Sequence, residues 1–258
     1  MPVKLIKLTK RYKRQLIEMI DEWKQDQEQN NTDRSPYAIF KNSYEDFDYY
    51  LENLSSDKPK NGWVPNSVFF LYDKSRNKLL GAVDIRHRLN RRLLKTGGHI
   101  GDGIRPSERG KGYGKRIIQL ALEECVNLGI NKVLVCVNKN NIPSKKAILA
   151  NGGIYKNTVI DEDGEEIERY WIDAPKQLLL KHIKELHVFD DETALRLKDA
   201  TGLYKTEIIS EVEYALTSFS RYSKIRRNGG LYVVQFREVE YTINSRYAVI
   251  DARVITAN

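Results

Sequence analysis

The stretch His99-Ile100-Gly101-Asp102-Gly103-Ile104-Arg105-Pro106-Ser107-Glu108-Arg109-Gly110-Lys111-Gly112-Tyr113-Gly114 decides the fold. Its first half reads as a strand that follows Gly97 and Gly98 and ends at Pro106, since proline cannot donate to a sheet ladder. Its second half is a glycine-rich loop running into an amphipathic helix, Gly114 to Leu128, stopped by Gly129. Glycines between a strand and a helix let the backbone approach a ligand closely, and the helix start carries unpaired N–H groups and a partial positive charge. The natural guest of such a loop is a phosphate or pyrophosphate. The loop lacks the Gly-Lys-Ser/Thr ending of a Walker A motif, and its spacing is wrong for a dinucleotide fingerprint.

Downstream, Lys132 to Asn138 is a short, almost continuously apolar run, the pattern of a strand buried on both faces. Pro143 opens a helix that ends at Asn151-Gly152-Gly153, and Ile154–Ile160 and Glu166–Ile172 are strands around the turn Asp161-Glu162-Asp163-Gly164. Upstream, Ser67–Asp73 and Lys78–Leu89 are two strands joined by a polar turn. Val3 to Leu8 alternates apolar and basic residues like a half-buried strand. Thr9 is then the expected N-cap of a helix to about Gln27, with Leu16, Ile17, Ile20 and Trp23 at helical spacing. Ser43 opens a capping box, Ser43-Tyr44-Glu45-Asp46, ahead of a helix to about Leu54, while Gln29–Ser35 and Ser55–Pro65 read as loops. The order β, α, α, β, β, β, α, β, α, β, β predicts a mixed α/β sheet.

The 258 residues carry a formal charge of +8, unevenly spread. Residues 51–150 hold 19 basic and 8 acidic side chains, residues 1–50 hold 9 of each, and residues 151–258 hold 15 and 18. A uniformly basic nucleic-acid coat would not look like this, whereas a local site for an anionic ligand would. A hydrophobic fraction of 41% excludes wholesale disorder. The two cysteines, Cys125 and Cys136, give neither a disulfide framework nor metal-ligand spacing, so no metal is expected. The start lacks the apolar core of a signal peptide and no run approaches the ~18 apolar residues of a membrane span, so a cytoplasmic protein without membrane contact is expected.

With that context, residues ~3–173 resemble the GNAT superfamily of N-acetyltransferases, whose acetyl-CoA loop has the pattern Arg/Gln-x-x-Gly-x-Gly/Ala. Arg109, Gly112 and Gly114 fit it, Ile104-Arg105-Pro106 looks like the end of that family's fourth strand, and Asn141-Ile142-Pro143-Ser144 resembles its second cofactor segment. NGG at 151–153 and ERYWI at 168–172 look like a little-characterised bacterial branch of it. The resemblance implies an α/β (α+β) fold with a mixed, mostly antiparallel sheet flanked by helices over residues 1–174. It implies acetyl-CoA as cosubstrate, with the amides of Arg109, Gly110, Lys111, Gly112, Tyr113 and Gly114 on the pyrophosphate. Backbone at Gly103 and Ile104 would pair with the pantetheine arm and polarise the thioester carbonyl, with Asn141 and Ser144 beside it. Lys111, Lys115 and Arg116 would add charge near the phosphates, and each equally reads as part of a solvated helix face.

Direct transfer needs a neutral amine, so an ammonium of pKa ~10 must lose its proton, commonly through a carboxylate or His. The candidates are Asp84 and His87 on the third strand and His99 and Asp102 on the fourth, with Asp102 and His87 placed first; each also reads as an ordinary hydrogen-bonded or ion-paired residue. Many relatives place a Tyr on the helix after the fifth strand to protonate the leaving thiolate. Here that position is Ile148, so the thiolate either finds another donor, for which Tyr155 is the candidate, or leaves unassisted. Trp63 and the pair Tyr49-Tyr50 fall where the superfamily shapes its acceptor cleft, though aromatics there are more often core.

Residues 175–258 fall outside the resemblance. A helix from Lys176 to about Leu186 precedes helices Asp190–Ala200 and Lys205–Phe219, the latter with an apolar stripe of Ile208, Ile209, Val212, Ala215, Leu216 and Phe219. Arg221, Lys224, Arg226 and Arg227 then lead to the hairpin signal Asn228-Gly229-Gly230 and three β-rich runs. This is a small α+β domain with the layout of a winged helix-turn-helix and a basic tip. Against DNA or RNA as partner, the second helix sets Glu207, Glu211 and Glu213 against Lys205. The expectation is an N-acetyltransferase acting on a primary amine of a small molecule or protein, with a protein partner or homodimer through residues 175–258. The alternatives are an acyltransferase whose amine sits on nucleic acid, such as aminoacyl-tRNA, and a non-catalytic acyl-CoA-sensing regulator.

Overall fold

A computed structural model describes residues 3–30, 32, 35–59, 62–182, 189–217 and 223–255. Residues 1–172 and 173–258 form two separate units. In the first, strands β1 (Val3–Ile6), β2 (Asn66–Asp73), β3 (Lys78–Arg86), β4 (Ile100–Ile104), β5 (Lys132–Asn138), β6 (Ile154–Ile160) and β7 (Glu166–Asp173) form one sheet. Its order is β1-β2-β3-β4-β5-β7-β6. Pairs β1·β2, β2·β3, β3·β4 and β6·β7 are antiparallel and β4·β5 is parallel, which is the mixed, mostly antiparallel sheet the sequence predicts.

Helix α1 (Lys13–Asn30) buries Leu16, Met19, Ile20 and Trp23 against Val68, Phe70, Tyr72 and Ala82, the i, i+3, i+4 stripe meeting the alternating face of β2 and β3. Helices α2 (Phe47–Leu54), α3 (Tyr113–Asn127) and α4 (Ile142–Leu149) complete the unit, and α3 packs against both β3 and β4.

Two expected caps move. Thr9 heads a tight helical turn and makes no side-chain cap bond, so α1 begins at Lys13 and runs on to Asn30. Asp46, not Ser43, caps α2: its carboxylate accepts from Tyr49 N at 3.0 Å, while Ser43 Oγ accepts only from Glu45 N in the turn before. The box fails because a second, stronger acceptor stands three residues closer to the apolar run. Asp46→Ala is therefore expected to cost about 1 kcal/mol in a thermal or urea melt, and Ser43→Ala less than about 0.5 kcal/mol.

The second unit holds α5 (Ala174–Lys181), α6 (Asp191–Thr201), α7 (Lys205–Thr217) and strands β8 (Ser223–Asn228), β9 (Leu231–Phe236), β10 (Val239–Ile243) and β11 (Val249–Val254). The strands form an antiparallel meander in the order β11-β10-β9-β8. Ile208, Val212, Ala215 and Leu216 are buried, as their spacing predicts. The helix end at Leu186, Phe219 and Arg221 lie outside the described residues.

Two expectations change here. The basic segment is not a tip but a fourth strand, β8, and Arg226 on it pairs with the buried Glu240 carboxylate at 2.6 Å, which Arg253 shares at the same distance. Glu211, expected on an exposed helix face, accepts a hydrogen bond from Tyr241 Oη on the sheet. Among the described residues no helix is long and apolar enough to cross a membrane.

Candidate active site

Parallel strands β4 and β5 meet where the start of β4 lies beside the middle of β5. Ile100 stands opposite Val135, and His99 N donates to Leu134 O at 2.7 Å while His99 Nδ1 accepts from Leu134 N at 3.0 Å. Ile100–Val135 is the one registered pair between the strands among the described residues, so beyond Ile100 the far edge of β4 is left open. Which groups line that edge follows from the antiparallel ladder with β3. Arg86 N donates to His99 O and Arg105 N to Leu80 O, so the odd-numbered residues of β4 turn their backbone groups toward β3. The even-numbered Asp102 and Ile104 turn theirs toward the opening. Gly103 is thus tied to β3 opposite Ala82. Its lack of a side chain has a steric reason, since a Cβ there would come within 2.2 Å of Ser35 O and 2.7 Å of the Trp23 ring.

The opening leads to the glycine loop. Gly110 (φ 75°) and Gly112 (φ 83°) sit in the left-handed region, and Gly112 is the N-cap of α3, so the first amides of that helix are unpaired within it. Arg109 holds the loop from below: its Nε donates to Ile104 O at 3.2 Å and its guanidinium pairs with Asp26 of α1 at 2.7 Å. Asp26 is pulled below its ordinary pKa; burial works against this, but bonds from Asn30, Thr32 and Arg109 outweigh it. Lys111 bends back to Ser107 O and to Glu108. Part of its charge is thereby taken up within the loop itself.

Glu108 is the anchor, 2% exposed and ringed by Arg76 (3.0 Å), Lys78 (2.8 Å) and Lys111 (3.1 Å). Burial alone would raise its pKa, yet the three cations carry it down to about 2. Arg76 also reaches Tyr113 Oη, which fixes the first residue of α3. Asn151 Nδ2 donates to Lys115 O and Ala147 O, tying the start of α3 to α4. At the head of α4, Asn141 Oδ1 accepts from Ser144 N at 3.2 Å. Arg116 reaches Gln119 within its own helix.

On the face of the sheet that carries Ala82, a cavity of about 550 Å³ opens among α2, the starts of β2 and the end of β3. Asp84 is the one proton-transfer candidate among its lining residues. Register explains the separation from Asp102: Asp84 stands opposite Gly101 and Asp102 opposite Val83, so the two carboxylates lie on opposite faces. Asp84 Oδ1 accepts from Asn66 Nδ2 at 2.7 Å and its Oδ2 pairs with Arg86 Nε at 3.2 Å.

His87 lies one residue beyond the end of β3, not on it, with Nε2 2.9 Å from Ser67 Oγ. His99 is buried, and burial first and the charge of Arg86 second push its pKa down to about 4. Neutral at pH 7 and with Nδ1 engaged, it joins β4 to β5. Tyr155 is exposed, its hydroxyl 2.9 Å from Thr158 Oγ1, while Ile148 is buried against Gly153. Of the aromatics, Tyr50 is core, with its hydroxyl donating to Ile39 O; Tyr49 is exposed and does not line the cavity; Trp63 does, stacked on Tyr37 at 6.2 Å. Asp26 and Glu108 were beyond sequence reasoning because each acts on a partner distant in the chain, and Lys41 and Arg92 because the fold brings them to one cavity from distant positions.

The sequence model of the acetyltransferase (GNAT) family matches residues 17–152, more than half of the chain. No curated protein sequence matches it. Among solved structures, a chimera of spermidine N-acetyltransferase SpeG from Vibrio cholerae and hSSAT is similar at 21% identity and a TM-score of 0.48, over 69% of this chain and 99% of that one. Microcin C7 self-immunity acetyltransferase MccE, in complex with acetyl-CoA and AMP, is similar at 19% identity and 0.47, over 66% and 91%.

Proposed function

The chain belongs to the GNAT acetyltransferase family, and from that premise we propose that it moves an acetyl group from acetyl-CoA to a primary amine within one ternary complex. The observation that carries this reading is the open edge of β4 running into an α3 N-terminus capped by left-handed glycines. The N–H of Ile104 turns away from β3, on the edge that β5 leaves beyond Ile100, and is suited to take the pantetheine arm as an added strand. The amides from Gly110 to Gly114 suit the pyrophosphate, with the helix dipole behind them. Asn141 and Ser144 stand at the head of the neighbouring helix. Bound acetyl-CoA supplies the activated acetyl thioester; backbone N–H groups beside it polarise the carbonyl.

The acceptor amine must arrive neutral. Lys41 and Arg92 on the cavity wall disfavour an ammonium, and Asp84, held by Asn66 and Arg86, is the carboxylate on that wall with a lone pair still able to accept from a water that takes the proton. Asp102 and His87 are the alternatives on the other face and beyond the strand end. Ile148 has no proton to give, so the departing thiolate takes its proton from Tyr155 or from solvent.

A second reading, a non-catalytic sensor of acyl-CoA, is favoured by Ile148 alone. An acceptor carried on aminoacyl-tRNA is less favoured, because Arg226 and Arg253 are both drawn onto Glu240, which offsets part of their charge. A protein partner or homodimer is the better use of the second unit, which exposes Leu195, Tyr204 and Tyr214. The cytoplasm is the location this reading implies.

Calorimetry with acetyl-CoA is expected to give a Kd below about 300 µM, with thiol release on adding amines, amino acids, polyamines, peptides or aminoacyl-tRNA. Binding without release from any acceptor would favour the sensor. No binding would end both readings.

A further inference from the structure

We propose that the cavity on β3 takes an amine that also carries an anionic group, a carboxylate or a phosphate, and discriminates against polyamines. It rests on the acetyl-transfer reading in treating this cavity as the acceptor's. Its charged lining residues are Lys41, Arg86 and Arg92 against the single carboxylate of Asp84. That carboxylate is already engaged, by Asn66 on one oxygen and Arg86 on the other. Arg86 is further held by the carbonyls of Gly97 and Gly98 at 2.8 and 3.2 Å, so Asp84 and Arg86 cancel within the wall.

Lys41 and Arg92 remain, and among the described residues no carboxylate pairs with either. A polycation entering such a space meets two like charges and no uncommitted acid, whereas an anionic group is drawn in. The same two charges favour the neutral, nucleophilic form of the amine.

The remaining wall gives the rest of the ligand. Tyr37 and Trp63, about half exposed, are stacked with an interplanar angle of 13°, and the Lys41 ammonium lies 5.0 Å from the Trp63 ring centroid. A flat aromatic surface with a cation over it suits an apolar or planar body ending in an anion. The volume of about 550 Å³ lies within the ~300–1,000 Å³ of small-molecule sites.

The test is calorimetric binding to the protein saturated with CoA, using probes matched except for the anion. The carboxylate arm is phenylalanine against phenethylamine, the phosphate arm O-phosphoethanolamine against ethanolamine, and spermidine is the polycation. At least one anionic probe is expected to bind about tenfold more tightly than its uncharged-tail partner and than spermidine, with the gap shrinking in ~0.5 M salt. Which arm shows the gap names the anion. The double variant Lys41→Glu with Arg92→Glu changes only exposed side chains, is checked by thermal melt, and is expected to reverse the order in favour of spermidine. Spermidine binding as tightly as the anionic probes, no anionic probe binding, or an order unchanged in the double variant would overturn the proposal. The binding readout needs no turnover, and acetyl-CoA calorimetry on wild type and double variant reports separately on the acetyl-transfer reading.

Discussion

Gly112→Val is expected to weaken acetyl-CoA binding about a hundredfold while the protein stays folded. Gly112 has φ 83° and forms the N-cap of α3, and a Cβ built on it meets no protein atom within 4 Å. Side-chain crowding inside the protein is therefore not the cause. A non-glycine residue in that conformation costs roughly 1–2 kcal/mol, more when β-branched. If the loop flips to relieve the strain, its amides turn away from the anion, and each hydrogen bond to a charged group is worth about 1.5–3 kcal/mol. If it does not flip, two methyl groups stand over the helix start where the pyrophosphate must approach. Either course approaches the 2.7 kcal/mol or so that a hundredfold loss represents. Gly129→Val is the control: it has φ 79°, equally open surroundings, and lies just past the other end of α3. It should lower the melting temperature and leave the Kd for acetyl-CoA alone. Equal affinity losses in the two variants would mean that strain, not the anion loop, is being measured.

The element order was legible because each element in the first unit carries its own period. The run Lys132–Asn138 is β5 residue for residue, and of the stripe Leu16, Ile17, Ile20 and Trp23 all but Ile17 lie on the buried face of α1, which Met19 completes. Proline at 143 and glycines at 110, 112 and 129 punctuate the chain where the structure turns. What failed was anything decided by a partner far along the chain. Arg109 meets Asp26, which lies 83 positions away, and Glu108 meets Arg76 and Lys78 across 32 and 30 positions, so no local pattern marks Glu108 as a buried charge. Strand register did equal damage. Asp84 and Asp102 look equivalent in the sequence, and one step of register sends them to opposite faces. Arg226 reads in the sequence as part of a basic tip because its counter-charge, Glu240, sits two strands away in the meander.

Glu108→Gln is expected to lower the melting temperature at pH 7 by roughly 6–12 °C, and to do so in a manner that depends on pH. The carboxylate is 2% exposed, and Arg76, Lys78 and Lys111 converge on it from two elements and the loop itself. Its pKa falls from 4.5 to about 2 on folding, with the cations overcoming burial. A depressed folded-state pKa stabilises the protein above the unfolded value, and that stabilisation is lost as pH falls from about 4.5 through 2. The displacement corresponds to about 3 kcal/mol. Removing the charge leaves three cations facing one another around a neutral amide, in the range of ~3–5 kcal/mol seen when one partner of a buried pair is deleted. Thermal melts of wild type and variant between pH 7 and pH 2 should therefore show a gap that is widest at neutral pH and closes toward pH 2. A gap independent of pH would mean that packing rather than charge holds Glu108 in place. Asp73, held at about pKa 2 by Ser75 and then Arg76, stays in the variant and accounts for the acid sensitivity that remains. Because Glu108 immediately precedes Arg109 and ties Arg76 to Tyr113 at the first residue of α3, the same variant should also bind acetyl-CoA less tightly. The acid that stabilises this unit is the one that holds the glycine loop proposed for the pyrophosphate.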